Sequence, residues 1–181
     1  MLIEELTKQE SVDLLTRARL GRLACAHETQ PYIVPIYFAY DNGYLYSFST
    51  VGQKFEWMQL NPNVCVEVDE VVSPQQWMSV IVLGHYQELP NIPEWRDARE
   101  YAHGKLLQRN AIWWQPVYAK TILHDAERPL VPLFYRIDVV QITGRRATPK
   151  HVTPPGTGPS MHDSSDNGWL QKILRQVRKQ S

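Results

Sequence analysis

Ser49, Thr50, Gly52 and Lys54 stand together in FSTVGQKFEW, just before a run with helical character. A cation at a helix N-terminus faces the positive end of the helix dipole and is badly placed unless an anion lies between them. Phosphate is the anion that suits these residues. It takes hydrogen bonds from the unpaired backbone N–H groups at a helix start. The two hydroxyls add donors, the glycine lets the backbone come close, and the lysine adds a full opposite charge. Each hydrogen bond to a charged group contributes roughly 1.5–3 kcal/mol, so three or four would anchor a phosphorylated ligand. Taken alone, the same residues also suit a polar loop with an exposed lysine.

Other candidate chemistry is sparse. Cys25 and His27 would share a strand face, but no further ligand follows at a metal-binding spacing. Asp69 and Glu70 are adjacent carboxylates. General acid–base work needs two groups converging on one substrate, whereas neighbours in a strand point to opposite faces. The sequence has no GxSxG elbow, Walker lysine loop, GxGxxG, HExxH or paired CxxC.

The elements that position these residues follow from periodicity and breakers. Thr7 and Glu10 have capping-box spacing, and Val12, Leu15 and Ala18 recur at helical spacing. These predict a helix over Thr7–Leu20, with Gly21 as its stop. GRLACAHE reads as a strand with Leu23, Cys25 and His27 on one face. QPYIVPIYFAYDNGYLYSFS reads as a hairpin turning at Asp41-Asn42-Gly43. Pro35 cannot donate to a ladder, so it marks an edge, a bulge or a ligand-facing gap. KFEWMQL predicts a short helix ended by Asn61-Pro62. Val64, Val66 and Val68 alternate with polar residues as a strand. WMSVIVLGHYQEL predicts a longer strand with Gly84 as a bulge. Pro93 opens a helix to about Arg109, and LFYRIDVVQITGRRA is the last strand. The whole reads as a mainly β chain with minor α: a small antiparallel barrel with a few flanking helices.

After Thr148 the composition turns to Pro, Gly, Ser and Asp. Three parts are therefore expected: a barrel over 1–148, a flexible linker over 149–168, and a short amphipathic helix over 169–181. The 181 residues suffice for one core without disulfide or metal. Lysine plus arginine equals aspartate plus glutamate, 19 against 19, which argues against a generic nucleic-acid binder. Cys25 and Cys65, both in apolar strand-like runs, read as buried reduced thiols. No signal-peptide pattern or membrane-length apolar run is present, so a cytoplasmic protein without a membrane span is expected.

The order of blocks VPIYFAYDNGYLYSFST, GQK, a short helix, NPNVCVEVDE and WMSVIVLGHYQEL resembles the pyridoxamine 5′-phosphate oxidase-like group of FMN-binding split barrels. Within it, the branch of nitroimidazole-resistance-type flavoproteins is the most similar. The resemblance covers roughly Val12 to Arg146. It implies a six-stranded split β-barrel that forms a homodimer, with FMN in clefts at the subunit interface. It implies that Ser49, Thr50, Gln53 and Lys54 hold the phosphate. The isoalloxazine would lie along Val34, Pro35, Ile36 and Tyr37, and Trp77 and Ser79 would stand near the ring or the ribityl chain, projecting from one strand face. The implied function is an oxidoreductase acting through the flavin on a small molecule. Two alternatives stay open. One is a haem-binding or haem-degrading barrel with His27, His85 or His124 as ligand; the other is a non-catalytic flavin-binding or sensing protein. Many relatives of that branch have a histidine where this chain has Phe48, so a histidine-dependent step is not expected. The segment Asn110–Pro132, with Trp113 and Trp114, is long for the family; its aromatics and prolines suit a packed loop, and it could also line the substrate pocket or a dimer contact. The substrate pattern of true pyridoxamine phosphate oxidases is not evident, and vitamin B6 oxidation is not expected.

Overall fold

The structure is a computed structural model that describes residues 1–109, 120–123, 126–129 and 132–149. Trp113, Trp114, His124 and the expected closing helix lie outside the described residues, as does the linker beyond residue 149. The elements in chain order are β1 (Leu2–Glu5), α1 (Lys8–Arg17), β2 (Leu20–His27), β3 (Gln30–Tyr37), β4 (Ala39–Asp41) and β5 (Tyr44–Ser49). There follow α2 (Gln53–Leu60), β6 (Asn63–Ser73), β7 (Gln76–Glu88), a single 3-10 turn Pro93–Trp95 and α3 (Arg96–Leu107). The short strands β8 (Lys120–Leu123) and β9 (Ala126–Pro129) pair with each other, and β10 (Leu133–Thr148) is the longest strand.

The fold is mainly antiparallel β, as expected, with eight strands rather than six in its main sheet. The strand order is β3-β2-β6-β7-β10-β5-β4, with β1 added to the far end of β10. β3 and β4 stand at opposite ends of this order, yet only Phe38 separates them in the chain. A sheet whose two ends are joined by one residue must curl until they meet. The core fills the inside of the curl. Leu23, Val66, Val68, Val80, Val82, Leu45, Tyr135 and Ile137 are buried there, under Leu14 and Leu15 of α1 and Phe55 and Met58 of α2. A second cluster seats α3, through Ala102 and Leu106, on Tyr46 and Phe134.

Several local expectations hold. Thr7 caps α1, and the reciprocal bonds of the capping box with Glu10 are both made. Asn42 and Gly43 take positive φ of 49° and 81°, the conformation of a tight hairpin turn. In β6, Val64, Val66 and Val68 are buried and the residues between them are half-exposed.

Other expectations need correction. α1 ends at Arg17, because Leu20 already pairs with Tyr37 across β2 and β3. Gly21 is therefore no helix stop. It lies in β2, where a Cβ would come within 3.1 Å of Val66 and 3.2 Å of Phe38. The 30–49 region is not one hairpin: β3 pairs back onto β2, and only β4 and β5 flank the Asp41–Gly43 turn. The bulge near Gly84 belongs to the partner strand, where the register slips between Val139 and Gln141. Gly84 allows that approach, since a Cβ there would lie 2.5 Å from the Asp138 carbonyl oxygen. Pro93 opens the 3-10 turn, and the α-helix proper begins at Arg96.

Candidate functional site

The corner between β5 and α2 holds four of the expected residues. Ser49 ends β5 and is buried, with its hydroxyl donating to the Thr50 carbonyl at 2.9 Å. Gly52 occupies the N-cap of α2, and no side chain caps the helix. The first helical bond runs from the Glu56 N–H to the Gly52 carbonyl at 3.1 Å. The N–H groups of Gln53, Lys54 and Phe55 precede that bond and have no carbonyl within the helix to meet.

Lys54 is half-buried beside this helix start. Loss of water pushes its ammonium below the ordinary lysine value, and the opposing influence is the Cys25 thiol alone. No carboxylate among the described residues faces it. Cys25 is itself buried in β2, and burial raises its thiol. The corner thus combines an uncapped positive dipole end with a cation that has no carboxylate beside it among the described residues. Its residues fit a phosphate, which would satisfy both.

Of the expected ring-facing residues, Val34 and Ile36 turn toward the core, while Pro35 is exposed on the outer side of β3. β3 is an edge strand, so Pro35 costs the sheet no ladder bond on its open side. The Tyr37 carbonyl accepts a 2.7 Å hydrogen bond from the Ser47 hydroxyl, which ties the end of β3 to β5 two residues before Ser49. Val34–Tyr37 and the β5–α2 corner are joined in this way.

Trp77 and Ser79 lie elsewhere in the chain's own fold. They share one face of β7, as expected, and with Ile81, Glu5, Leu6 and Arg145 they line a cleft of about 550 Å³. The Ser79 hydroxyl donates to Glu67 at 3.0 Å. α2 instead meets β7 at Tyr86, whose ring is 6.2 Å from Phe55. Trp77 is nine residues from Tyr86, a path of roughly 30 Å at the rise of an extended strand. A single chain does not bring Trp77 and Ser79 to the Lys54 corner.

The remaining candidates are structural. Asp69 pairs with Arg22, which also holds Glu67 at 2.9 Å, while Glu70 makes a two-point pair with Arg17 at 2.7 Å. The two adjacent carboxylates therefore diverge. Among the described residues, no three His, Cys, Asp or Glu side chains are grouped to hold a metal. Cys25 and Cys65 are free thiols, the second half-buried rather than buried. His85 lines an open groove on the outer face.

Sequence reasoning missed one feature of the corner. Trp57, one turn after Lys54, has the rings of His27 and Tyr32 at 5.6 Å each. The i, i+3 spacing of Lys54 and Trp57 was the available signal, since such residues share a helix face.

Comparison with known proteins agrees with this architecture. A protein of Rhizobium meliloti described as uncharacterised is 36% identical over 147 residues, which is 81% of this chain and 97% of that protein. A solved FAD-binding protein from Mesorhizobium loti is 40% identical, with a TM-score of 0.68 over 82% of this chain and all of that one. A candidate 5-nitroimidazole antibiotic resistance protein from Bacteroides thetaiotaomicron is 20% identical, with a TM-score of 0.58 over 81% of this chain and 89% of its own, a likeness of fold. The family model described as pyridoxamine 5′-phosphate oxidase matches residues 7–146, the described sheet almost from end to end, and the chain belongs to that family.

Proposed function

We propose that the protein is a flavoprotein that holds the phosphate of its cofactor at the β5–α2 corner. The observation that carries this reading is Lys54: a half-buried ammonium with no carboxylate facing it among the described residues, beside an uncapped helix start. The FAD-binding description of the 40% identical Mesorhizobium protein supports the flavin class. FMN is the smallest flavin with the phosphate that the corner needs. Ser49, Thr50, Gln53 and Lys54 bind that phosphate in this reading. Val34, Pro35, Ile36 and Tyr37 flank the ring, and the exposed edge of β3 offers backbone groups to it.

The protein's role is to bind, orient and tune; a bound flavin supplies the hydride or electron chemistry. Lys54 binds and transfers no proton. This makes the protein an oxidoreductase acting on a small molecule. Trp77 and Ser79 join the site in a homodimer, with the cleft on β7 of one subunit facing the corner of the other. A cytoplasmic setting is part of the proposal; no helix among the described residues is long and apolar enough to cross a membrane.

The test is the absorption spectrum of the purified protein, with any released chromophore identified by mass. A flavin spectrum is expected. Lys54→Ala should weaken flavin binding by roughly tenfold to a hundredfold, the loss of one charge-assisted contact. A colourless protein that takes up no added flavin would overturn the reading, and a Soret band would transfer the argument to the histidines.

A further inference from the structure

Resting on the homodimer proposed above, we infer that a second copy of this chain docks, turned head to tail, on the outer face of β2, β6 and β7 around Leu83. Both faces of these strands are apolar there. Cys25, Val66 and Val82 belong to the core on the inner side. On the outer side, Ile33, Ala24, Cys65 and Leu83 are register partners across β3, β2, β6 and β7. Residues directly opposite one another project from the same face. An antiparallel sheet with one face in water carries polar residues on that face. This row instead leaves Ile33 62% and Leu83 44% exposed, and Val140 of β10 stands nearby at 64%. Leu83 and Val140 flank a groove of about 420 Å³ that is also lined by the small residues Ala24, Ala26, Cys65 and Gly84. Projecting aliphatic groups beside small ones let such a face fit a copy of itself.

Two observations make the occupant a second copy. The first is charge. Toward the Trp77 end the face carries Glu67 and Asp69, which share the one guanidinium of Arg22. Glu5 and Arg145, partners in register, offset each other there. Toward the α2 end stand the exposed His85 and the Lys54 ammonium, which no carboxylate among the described residues faces. A copy turned through 180° sets each end against its opposite. The second is position. In the proposed site Trp77 of one chain meets the corner of the other, and α2 meets β7 at Tyr86. A twofold axis that exchanges positions 77 and 86 of β7 passes midway, between Ile81 and Val82. Leu83 is the next residue. The axis that completes the site therefore falls on the apolar row.

The experiment compares wild type, Leu83→Asp and Val140→Asp, each with and without flavin. Both side chains are exposed, so neither change disturbs the core, but each puts a carboxylate where docking would strip its water. Sedimentation velocity gives the oligomeric state. The rate at which a maleimide labels Cys65 gives the exposure of the face; Cys25 is the more buried thiol, and Cys65→Ser identifies its contribution. The wild type should be a dimer even without flavin. Both variants should be monomers with unchanged circular dichroism, and their Cys65 should label roughly tenfold faster or more. Variants that stay dimeric, with Cys65 labelled as in the wild type, would overturn the inference and leave the flavin reading intact. A wild type that is monomeric with and without flavin would also overturn it, because something other than a second copy would then cover the face. A wild type that binds no flavin but loses its dimer in both variants would sink the flavin reading and leave this interface standing.

Discussion

At Lys54 the demands of folding oppose the binding role proposed above. An ammonium that loses water and gains no carboxylate is unfavourable in the folded chain. Its lowered proton affinity expresses that cost. Between the depressed folded value and the ordinary value of 10.5, the unfolded chain binds more protons than the folded one. Stability of the flavin-free protein should therefore rise with pH through that window. Lys54→Met should remove this rise and raise the flavin-free melting temperature at neutral pH, while flavin binding falls. Urea titrations of both proteins at neutral and alkaline pH provide the check. A Lys54→Met variant that is less stable than wild type at neutral pH would mean that the ammonium already has a partner in the fold. The oddity of this lysine was legible in the sequence, because a cation preceding a helix is visible from spacing alone. Its burial was not legible. That depends on the packing of α2 against β2, whose place follows from its pairing with β3 and β6.

Among the elements, β7 and β10 carry the longest pairing, and its regularity hinges on Gly84. A methyl group there would come 2.5 Å from the Asp138 carbonyl and 2.6 Å from the Ile137 side chain. Neither is free to move, since both sit in β10 between β5 and β7. Gly84→Ala should destabilise the fold by about 1–3 kcal/mol, the usual cost of overpacking. Chemical denaturation measures this, and an unchanged midpoint would show that the bulge at Val139–Gln141 can shift. The same locus shows how far elements can be read from sequence. A glycine inside a strand pattern announces an irregularity, but not which strand bears it. Likewise the valines of β6 announced a strand with one buried face, and Asn42-Gly43 announced the turn. Those signals are local. The pairing of β3 with β2 is not, because a hairpin through Glu28–Thr29 competes with one through Asn42–Gly43 and both flank apolar runs. Sheet closure through Phe38 decides between them, and no short window of sequence contains that constraint. β1 went unseen for a related reason: Leu2–Glu5 is too short to show a period and is defined by the end of β10 that it meets.

For the whole molecule, the separation of the two parts of the expected site becomes a statement about assembly. Lys54 sits at the α2 end of the barrel, and Trp77 and Ser79 line a cleft near the opposite end of β7. If one flavin touches both sets, two chains must contribute. Cofactor binding and dimerisation are then linked: a ligand that contacts both subunits binds the dimer more tightly than the monomer, and stabilises the dimer by the same factor. Added flavin should lower the concentration at which the dimer dissociates, and dilution into the monomer range should release flavin from wild-type protein. Trp77→Ala should weaken flavin binding in the dimer and leave the low affinity of the dilute monomer unchanged, while Lys54→Ala should weaken both. Sedimentation velocity, detected at flavin and protein wavelengths across a dilution series, follows both species at once. A monomer that keeps its flavin with undiminished affinity would confine the site to one chain, and the β7 cleft would then need a separate explanation. Under that proposal the linkage would also give a physical reason for the two-part layout: a cofactor shared across an interface makes a site that exists only in the assembled protein, so unassembled chains would be kept from exposing a loosely held flavin to solvent.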